Sequence, residues 1–375
     1  MDALSRDEAY MQRALDLAAE GLGRVEPNPM VGAVVVQGER VVGEGYHARF
    51  GGPHAEVVAL DQAADGARGG ELFVTLEPCC HHGKTPPCTD AVLAAGIRRV
   101  VAAIVDPFPE MAGRGLAILE EAGVEVRVGV LEEPARRLNA AYLKRQKTGL
   151  PLVIAKWAMT LDGRLATSSG DSRWISSKAS RRRVHELRRV SDAVLVGSGT
   201  ALVDEPSLTV RHVEPYPERG QPTRVILDTH LVLDPMRQPA RSAGRVPVIV
   251  YTSEAALAED GEAVEALRGT GCEIVTVPPA PAGLSLPAVL VDLGKREMSR
   301  VLVEGGSRIL GSFFAAGLVD RVMVFVSPRI LGSADALGPV AGPYGRELVQ
   351  ALEVADLAVE TVGPDRMIEG RVSEF

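Results

Sequence analysis

Apolar positions along this chain change rhythm repeatedly. In the opening stretch, MDALSRDEAYMQRALDLAAEGLG, residues Met11, Leu15, Ala18 and Leu22 fall three or four apart, which marks one face of a helix. Ser5 and Glu8 ahead of them form a capping-box pattern. Compact apolar runs then predict strands at 31–37, 40–45, 72–76, 100–105 and 124–130, with a turn at Gly38 between the first two. Helical spacing returns between them at 54–64, where Val57, Leu60 and Ala64 are in phase, and at 89–95, 114–122 and 132–147. Gly149 and Pro151 interrupt the pattern. A second series follows, with strands at 152–159, 193–196, 224–228, 246–252, 273–277, 301–304 and 321–327 and helices at 178–190, 254–267, 286–296 and 307–316. Strands alternating with helices imply layered α/β sheets. The chain therefore reads as two α/β domains, 1–148 and 149–375. The proline-rich 278–281 reads as a surface connection.

With 375 residues, 46% of them hydrophobic, the chain can build the full cores of two or three domains. Its formal net charge of -8 and its 4% of aromatic residues argue against a basic groove lined with stacking platforms. The expected partner is thus a small molecule rather than nucleic acid. No stretch is apolar enough to span a bilayer, and no basic, apolar leader opens the chain, so a cytoplasmic location is expected.

The chemistry concentrates in His54-Ala55-Glu56 and in the run TLEPCCHHGKTPPCTD at 75–90. His-x-Glu followed by Pro-Cys-x-x-Cys is the signature of zinc deaminases of nucleobases. Here Cys79 and Cys80 are adjacent and the next thiol is Cys88, a departure that narrows the class. A catalytic zinc keeps three nitrogen or sulfur ligands and leaves the fourth position to water, whose pKa it lowers towards neutrality. His54, Cys79 and Cys88 supply such a set. Glu56, in the first turn of its predicted helix, can take the proton of that water and hand it to a leaving amine. Cys88 would stand at the start of the helix at 89–95, where the dipole stabilises a thiolate. Cys80 is the alternative to Cys79, which is favoured because it directly follows Pro78. A closed structural site with His81 or His82 as fourth ligand competes with this reading, and would make Glu56 an ordinary helix-start acid. A disulfide is the weaker reading, because thiols beside histidines with no secretory signal point to metal. Cys272, alone near a predicted strand, reads as a small buried hydrophobe.

The second half carries weaker patterns. Gly197 to Leu202 begins like a dinucleotide fingerprint but lacks its last glycine. Gly306 to Gly311 lacks the lysine of a P-loop, yet it follows a predicted strand and opens a predicted helix. Such a junction exposes backbone N–H groups to a cofactor phosphate, or is a plain turn. Arg181, Arg182, Arg183, Arg188 and Arg189 form a basic helix face, from which one or two forks could reach a substrate phosphate. DEPSLTVR at 204–211 reads as a loop, and Trp174 as either a stacking or a core residue.

Together these motifs resemble one family. PNPMVGA at 27–33, the HAE triplet and EPCCHHGKTPPCTD match in the first half; AMTLDGRLAT, GDSRWIS at 170–176, VDEPSLTVR and VEGG match in the second. In order and spacing they are similar to the bifunctional deaminase–reductases of riboflavin biosynthesis over nearly the whole chain. The resemblance implies a cytidine-deaminase-like N-terminal domain and a C-terminal domain like dihydrofolate reductase. It implies hydrolysis of the ring amine of a 2,5-diamino-6-ribosylamino-pyrimidinone 5'-phosphate, then reduction of the ribosyl group to ribityl by NADPH. The family's zinc ligands fall on His54, Cys79 and Cys88, and its proton carrier on Glu56. Its NADP contacts fall on Ala158, Trp174, Thr200, Asp204, Thr229 and the turn Gly306, Ser307, Arg308, Ile309 and Leu310. Its substrate contacts fall on Ser172, Arg188, Leu208, Arg211 and Glu304, with Arg188 and Arg211 assigned to the phosphate. The resemblance also implies a homo-oligomer.

Overall fold

A computed structural model describes residues 5–82, 86–168, 170–171, 174–214, 216–342 and 347–375. Ser172 lies outside them. The chain divides into two units, Met1–Thr148 and Gly149–Phe375.

In the first unit, helix α1 (Arg6–Ala19) starts at the Ser5/Glu8 capping box and buries Met11, Ala14, Leu15 and Ala18. Strands β1 (Gly32–Gln37) and β2 (Arg40–Tyr46) form a hairpin, followed by α2 (Ala55–Ala63) and β3 (Glu71–Val74). Then come α3 (Cys88–Ala94), β4 (Arg99–Ala102), α4 (Arg114–Glu121) and β5 (Glu125–Val128), closed by α5 (Glu132–Leu138) and α6 (Ala140–Thr148). The sheet order is β2-β1-β3-β4-β5, with β1 antiparallel to both neighbours and β3, β4 and β5 parallel. The single helix expected at 132–147 is two. Asn139 breaks it by turning its amide onto the backbone of Met30, accepting from the N–H and donating to the carbonyl, each at 2.8 Å.

Helix α2 lies close on β2 because Gly43 and Gly45 face it without side chains. A Cβ at Gly43 would stand 2.0 Å from the Ala59 carbonyl oxygen, and one at Gly45 would stand 2.6 Å from that of Ala55. Both clashes are with backbone, so the helix itself must shift. Gly43→Ala is expected to destabilise the first unit by about 1–3 kcal/mol. Thermal unfolding read by circular dichroism checks this, and a wild-type melting profile would refute the packing argument.

The second unit is built on a nine-stranded sheet. Its strands are β6 (Leu152–Thr160), β7 (Ala193–Gly197), β8 (Thr223–Leu227), β9 (Val248–Thr252) and β10 (Glu273–Thr276). After the short pair β11 (Pro279–Ala280) and β12 (Gly283–Leu284) come β13 (Arg300–Gly305), β14 (Arg321–Ser327), β15 (Ala355–Val362) and β16 (Asp365–Arg371). Its helices are α7 (Lys178–Arg189), α8 (Ser198–Asp204), α9 (Glu254–Glu259), α10 (Gly261–Gly269), α11 (Leu286–Lys295) and α12 (Ser307–Ala315). The order is β10-β9-β8-β7-β13-β6-β14-β16-β15, parallel through β14 and antiparallel beyond it. Strands covered on both faces read as unbroken apolar runs, and β7 and β9 are buried along their whole length. The helix expected at 254–267 breaks at Asp260, whose non-helical backbone frees its carboxylate to cap α10 at the N–H of Ala263. The 278–281 connection is partly paired as β11 and β12, and the glycine pattern begun at Gly197 opens a helix at 198–204.

Candidate active sites

The first site forms where two helices begin. His54 is the N-cap of α2, Cys88 is the first residue of α3, and Cys79 lies in the loop after β3. His54 Nδ1 stands 3.2 Å from Cys88 Sγ and 3.4 Å from Cys79 Sγ. Among the described residues, these three offer ligand atoms that all lie within 4.8 Å of one another. Tetrahedral zinc, about 2.0 Å from nitrogen and 2.3 Å from sulfur, separates those atoms by roughly 3.5 Å. The donor set and its spacing fit that ion. The Cys79 sulfur accepts the N–H of Cys88 at 3.3 Å, and the Cys79 carbonyl accepts the N–H of Thr89 at 3.1 Å.

The Cys88 thiol is hydrogen-bonded to the Cys79 sulfur. Cys79 is held down to about 4, first by the hydrogen bond from Cys88 and then by His54. The Cys88 thiol is pushed up by donating to Cys79 and by burial. A divalent cation among these groups would deprotonate both. Glu56 is 3% exposed, and burial, then the Cys79 charge, pushes it up to about 7. Cys80 and His81 turn elsewhere: Cys80 Sγ and His81 Nδ1 lie 3.8 and 3.4 Å from Met111 Sδ. The structure therefore gives no support to His81 as a fourth ligand, and His82 is exposed.

A relay of polar groups backs the imidazole. His47 is buried, its ring edge-on to His54 at 5.7 Å, and its Nδ1–H donates to the Pro53 carbonyl at 2.9 Å. Its Nε2 then accepts from the Asn28 amide at 3.2 Å. The PNPMVGA run thus reaches the residue just before His54.

The second site lies at the C-terminal ends of parallel strands, where open α/β sheets bind ligands. β7 runs into α8 and β13 into α12, and these strands are neighbours. Thr200 and Gly306 consequently meet: a Cβ on Gly306 would stand 3.1 Å from Thr200 Oγ1. Gly306, the N-cap of α12, brings no capping side chain, so the helix start can offer the N–H groups of Ser307, Arg308 and Ile309 to an anion. Leu310 differs, since its N–H bonds the Gly306 carbonyl at 3.1 Å and its side chain is in the core. Asp204 ends α8, Thr229 follows β8, and Ala158 sits half-buried near the end of β6. Trp174 is 62% exposed and lies on Arg181, 4.4 Å from guanidinium carbon to ring centre, which rules out core packing.

Beside this turn Arg188 grips Glu304 with both arms, Nε to Oε1 at 2.5 Å and Nη2 to Oε2 at 2.9 Å. Its Nη1 donates to the Thr209 carbonyl, beside the buried Leu208. Lys156 Nζ stands 3.6 Å from the same carboxylate. Burial lowers the Lys156 pKa, opposed by Glu304. Arg188 thus spends its fork inside the protein, whereas Arg211 is exposed. Sequence reasoning missed Lys156. Its signal was a lone cation inside the apolar run LVIAKWAMT.

Comparison with known proteins places both halves. Residues 151–368 match the RibD C-terminal domain, and residues 4–104 match the cytidine and deoxycytidylate deaminase zinc-binding region. The riboflavin biosynthesis protein RibD of Aquifex aeolicus is 44% identical over 362 residues, covering 96% of this chain and 97% of that one. That of Escherichia coli is 42% identical over 370 residues, covering 96% and 98%. Among solved structures, Acinetobacter baumannii RibD superposes with a TM-score of 0.86 at 35% identity, covering 98% of this chain and 99% of that one. The diaminohydroxyphosphoribosylaminopyrimidine deaminase/5-amino-6-(5-phosphoribosylamino)uracil reductase of Thermotoga maritima gives 0.82 at 40% identity, with coverage of 98% and 99%. Similarity of this depth along both halves means that the chain belongs to the RibD family, the zinc- and NADPH-dependent deaminase–reductases of riboflavin biosynthesis.

Proposed function

We propose that His54, Cys79 and Cys88 hold the zinc of the deaminase and that Glu56 moves its protons. The observation that carries this is the convergence of one imidazole and two thiols around a point beside a buried carboxylate. Zinc, when bound, supplies the Lewis acidity that makes water a nucleophile near neutral pH. Glu56 takes a proton from the attacking water and delivers it to the ring amine. A carbon–oxygen bond replaces the carbon–nitrogen bond, and ammonia leaves. The substrate is the 5'-phosphate of a diamino-ribosylamino-pyrimidinone.

In the second unit the first turn of α12, with Thr200, Asp204, Ala158, Trp174 and Thr229, holds NADPH, which supplies the hydride that opens the ribosyl group to ribityl. Leu208, Arg211 and the Arg188–Glu304 pair bind the deaminated product, and Ser172 completes that set by resemblance. Because Arg188 is engaged by Glu304, Arg211 is the guanidinium assigned first to the phosphate. The acidic balance of the chain supports a small-molecule substrate and no nucleic-acid partner. The proposed location is the cytoplasm; among the described residues no helix is long and apolar enough to cross a membrane. The open edge of β15, with Leu357 and Val359 exposed, supplies a surface for a homo-oligomer.

Stripping the metal with a chelator is expected to abolish ammonia release while NADPH oxidation with deaminated product continues, and added zinc should restore the first activity. Ammonia release that survives in metal-free protein would overturn the zinc assignment.

A further inference from the structure

Glu77 stands immediately before Pro78 and Cys79, and no part of the deamination chemistry uses it. Its carboxylate is 3% exposed and accepts three backbone N–H groups, those of Asp106 at 3.0 Å, Gly113 at 2.9 Å and Gly115 at 2.8 Å. Its own N–H bonds the Ile104 carbonyl at 3.0 Å. Helix α4 has Gly113 at its N-cap with no capping side chain of its own. The Glu77 carboxylate fills that place from another segment, joining the loop after β4 and the start of α4 to the cysteine arm. Orphan N–H groups at a helix start are good partners for a carboxylate. Gly115 packs so closely on this arm that a Cβ there would stand 2.1 Å from the Pro78 carbonyl oxygen.

We propose that Glu77 is a positioning residue for the metal site, acting through Cys79. Cys79 is tied on its far side to the start of α3, by the N–H bonds from Cys88 and Thr89. On its near side the chain is held by the Glu77 carboxylate two residues back and by the close packing of Pro78 on Gly115, which together clamp it to α4. The clamp therefore sets where the Cys79 sulfur stands relative to His54 and Cys88. Groups behind a metal ligand typically change metal affinity by about 10–100-fold when lost. Gln at position 77 keeps the shape of the side chain but presents an amide donor to backbone donors, so at least one of the three bonds fails. The inference rests on Cys79 being a zinc ligand.

The test is the rate at which zinc-loaded full-length protein yields its metal to a chromogenic chelator, with circular dichroism and NADPH oxidation as checks on folding. Glu77→Gln is expected to release zinc about 10–100 times faster than wild type. Gly115→Ala removes no charge but displaces the same Pro78 carbonyl and crowds the Glu77 carboxylate, whose Oε1 would lie 3.2 Å from the added Cβ, and is expected to act in the same direction. Glu71→Gln removes an equally buried carboxylate from the start of β3 and is expected to leave the rate unchanged. Wild-type release from both Glu77→Gln and Gly115→Ala, or equal acceleration by Glu71→Gln, would overturn the proposal. Should Glu77→Gln fail to fold, Gly115→Ala decides alone. Cys79→Ser separates the underlying assumption: if it holds zinc as wild type does, the ligand reading fails, whereas if it loses zinc while the clamp variants do not, only the clamp fails.

Discussion

Glu56→Gln is expected to lower ammonia release by about 10²–10⁴-fold, the usual share of a general acid–base group. Zinc content and NADPH oxidation should stay at the wild-type level. The amide has the size of the acid but cannot carry a proton. Glu56 lies in the first turn of α2, two residues beyond His54, so it is aimed by the same helix start that aims the imidazole. It is buried, which removes competing solvent protons and explains why its pKa is pushed up to about 7. A carboxyl poised there can both accept and donate near neutral pH. The variant is to be assayed for ammonia, metal content and nicotinamide absorbance on one preparation. Deamination at more than a tenth of the wild-type rate would remove Glu56 from the mechanism.

The largest stability effect is expected at Glu304. Its side chain is nearly buried, held by Arg188 and faced by Lys156. Burial alone would raise its pKa, but Arg188 and then Lys156 overcome that and bring it to about 2. Glu304→Ala leaves two cations without their anion and should cost the second unit about 3–5 kcal/mol, with loss of NADPH oxidation. The sign of the pH effect follows. A carboxylate whose folded pKa is depressed from 4.5 to about 2 contributes stability that is whole above the upper value and lost as pH falls through the lower. Wild-type protein should therefore lose this contribution between those two values, and Glu304→Gln should show a flatter acid limb. Both tryptophans, Trp157 and Trp174, belong to the second unit, so their emission follows its unfolding alone. Identical acid limbs in the two proteins would contradict the buried triad.

The order of elements was legible because apolar rhythm survives where cores are large. Strand 321–327 and helices α7 and α12 fall within a residue of their expected bounds. What escaped was set by single side chains acting at a distance. Asn139 and Asp260 look like tolerable helix residues until their amide and carboxylate find backbone partners. The hairpin β15–β16 escaped because β15 is exposed along nearly its whole length and, with Asp356 and Glu360 among its apolar residues, lacks the compact apolar run of a core strand. The convergence of His54, Cys79 and Cys88, which we propose as the metal site, was legible because ligand chemistry restricts residue type, and Cys80 turning to Met111 supports the proposed choice of Cys79. Lys156 and Glu77 were not, since a lone charge in a strand or before a proline has no meaning until the fold gives it neighbours.

The C-terminal edge of the second sheet has a practical corollary. Thr200, Thr229 and Gly306 stand just past strand ends and Ala158 near one, while β7 and β9 behind them are sealed on both faces. On the proposed assignment of cofactor and sugar contacts, retooling this half for a different hydride carrier or a different sugar would mean rewriting turns and leaving the scaffold alone, so variant libraries confined to those exits should retain solubility far more often than libraries aimed at the strands.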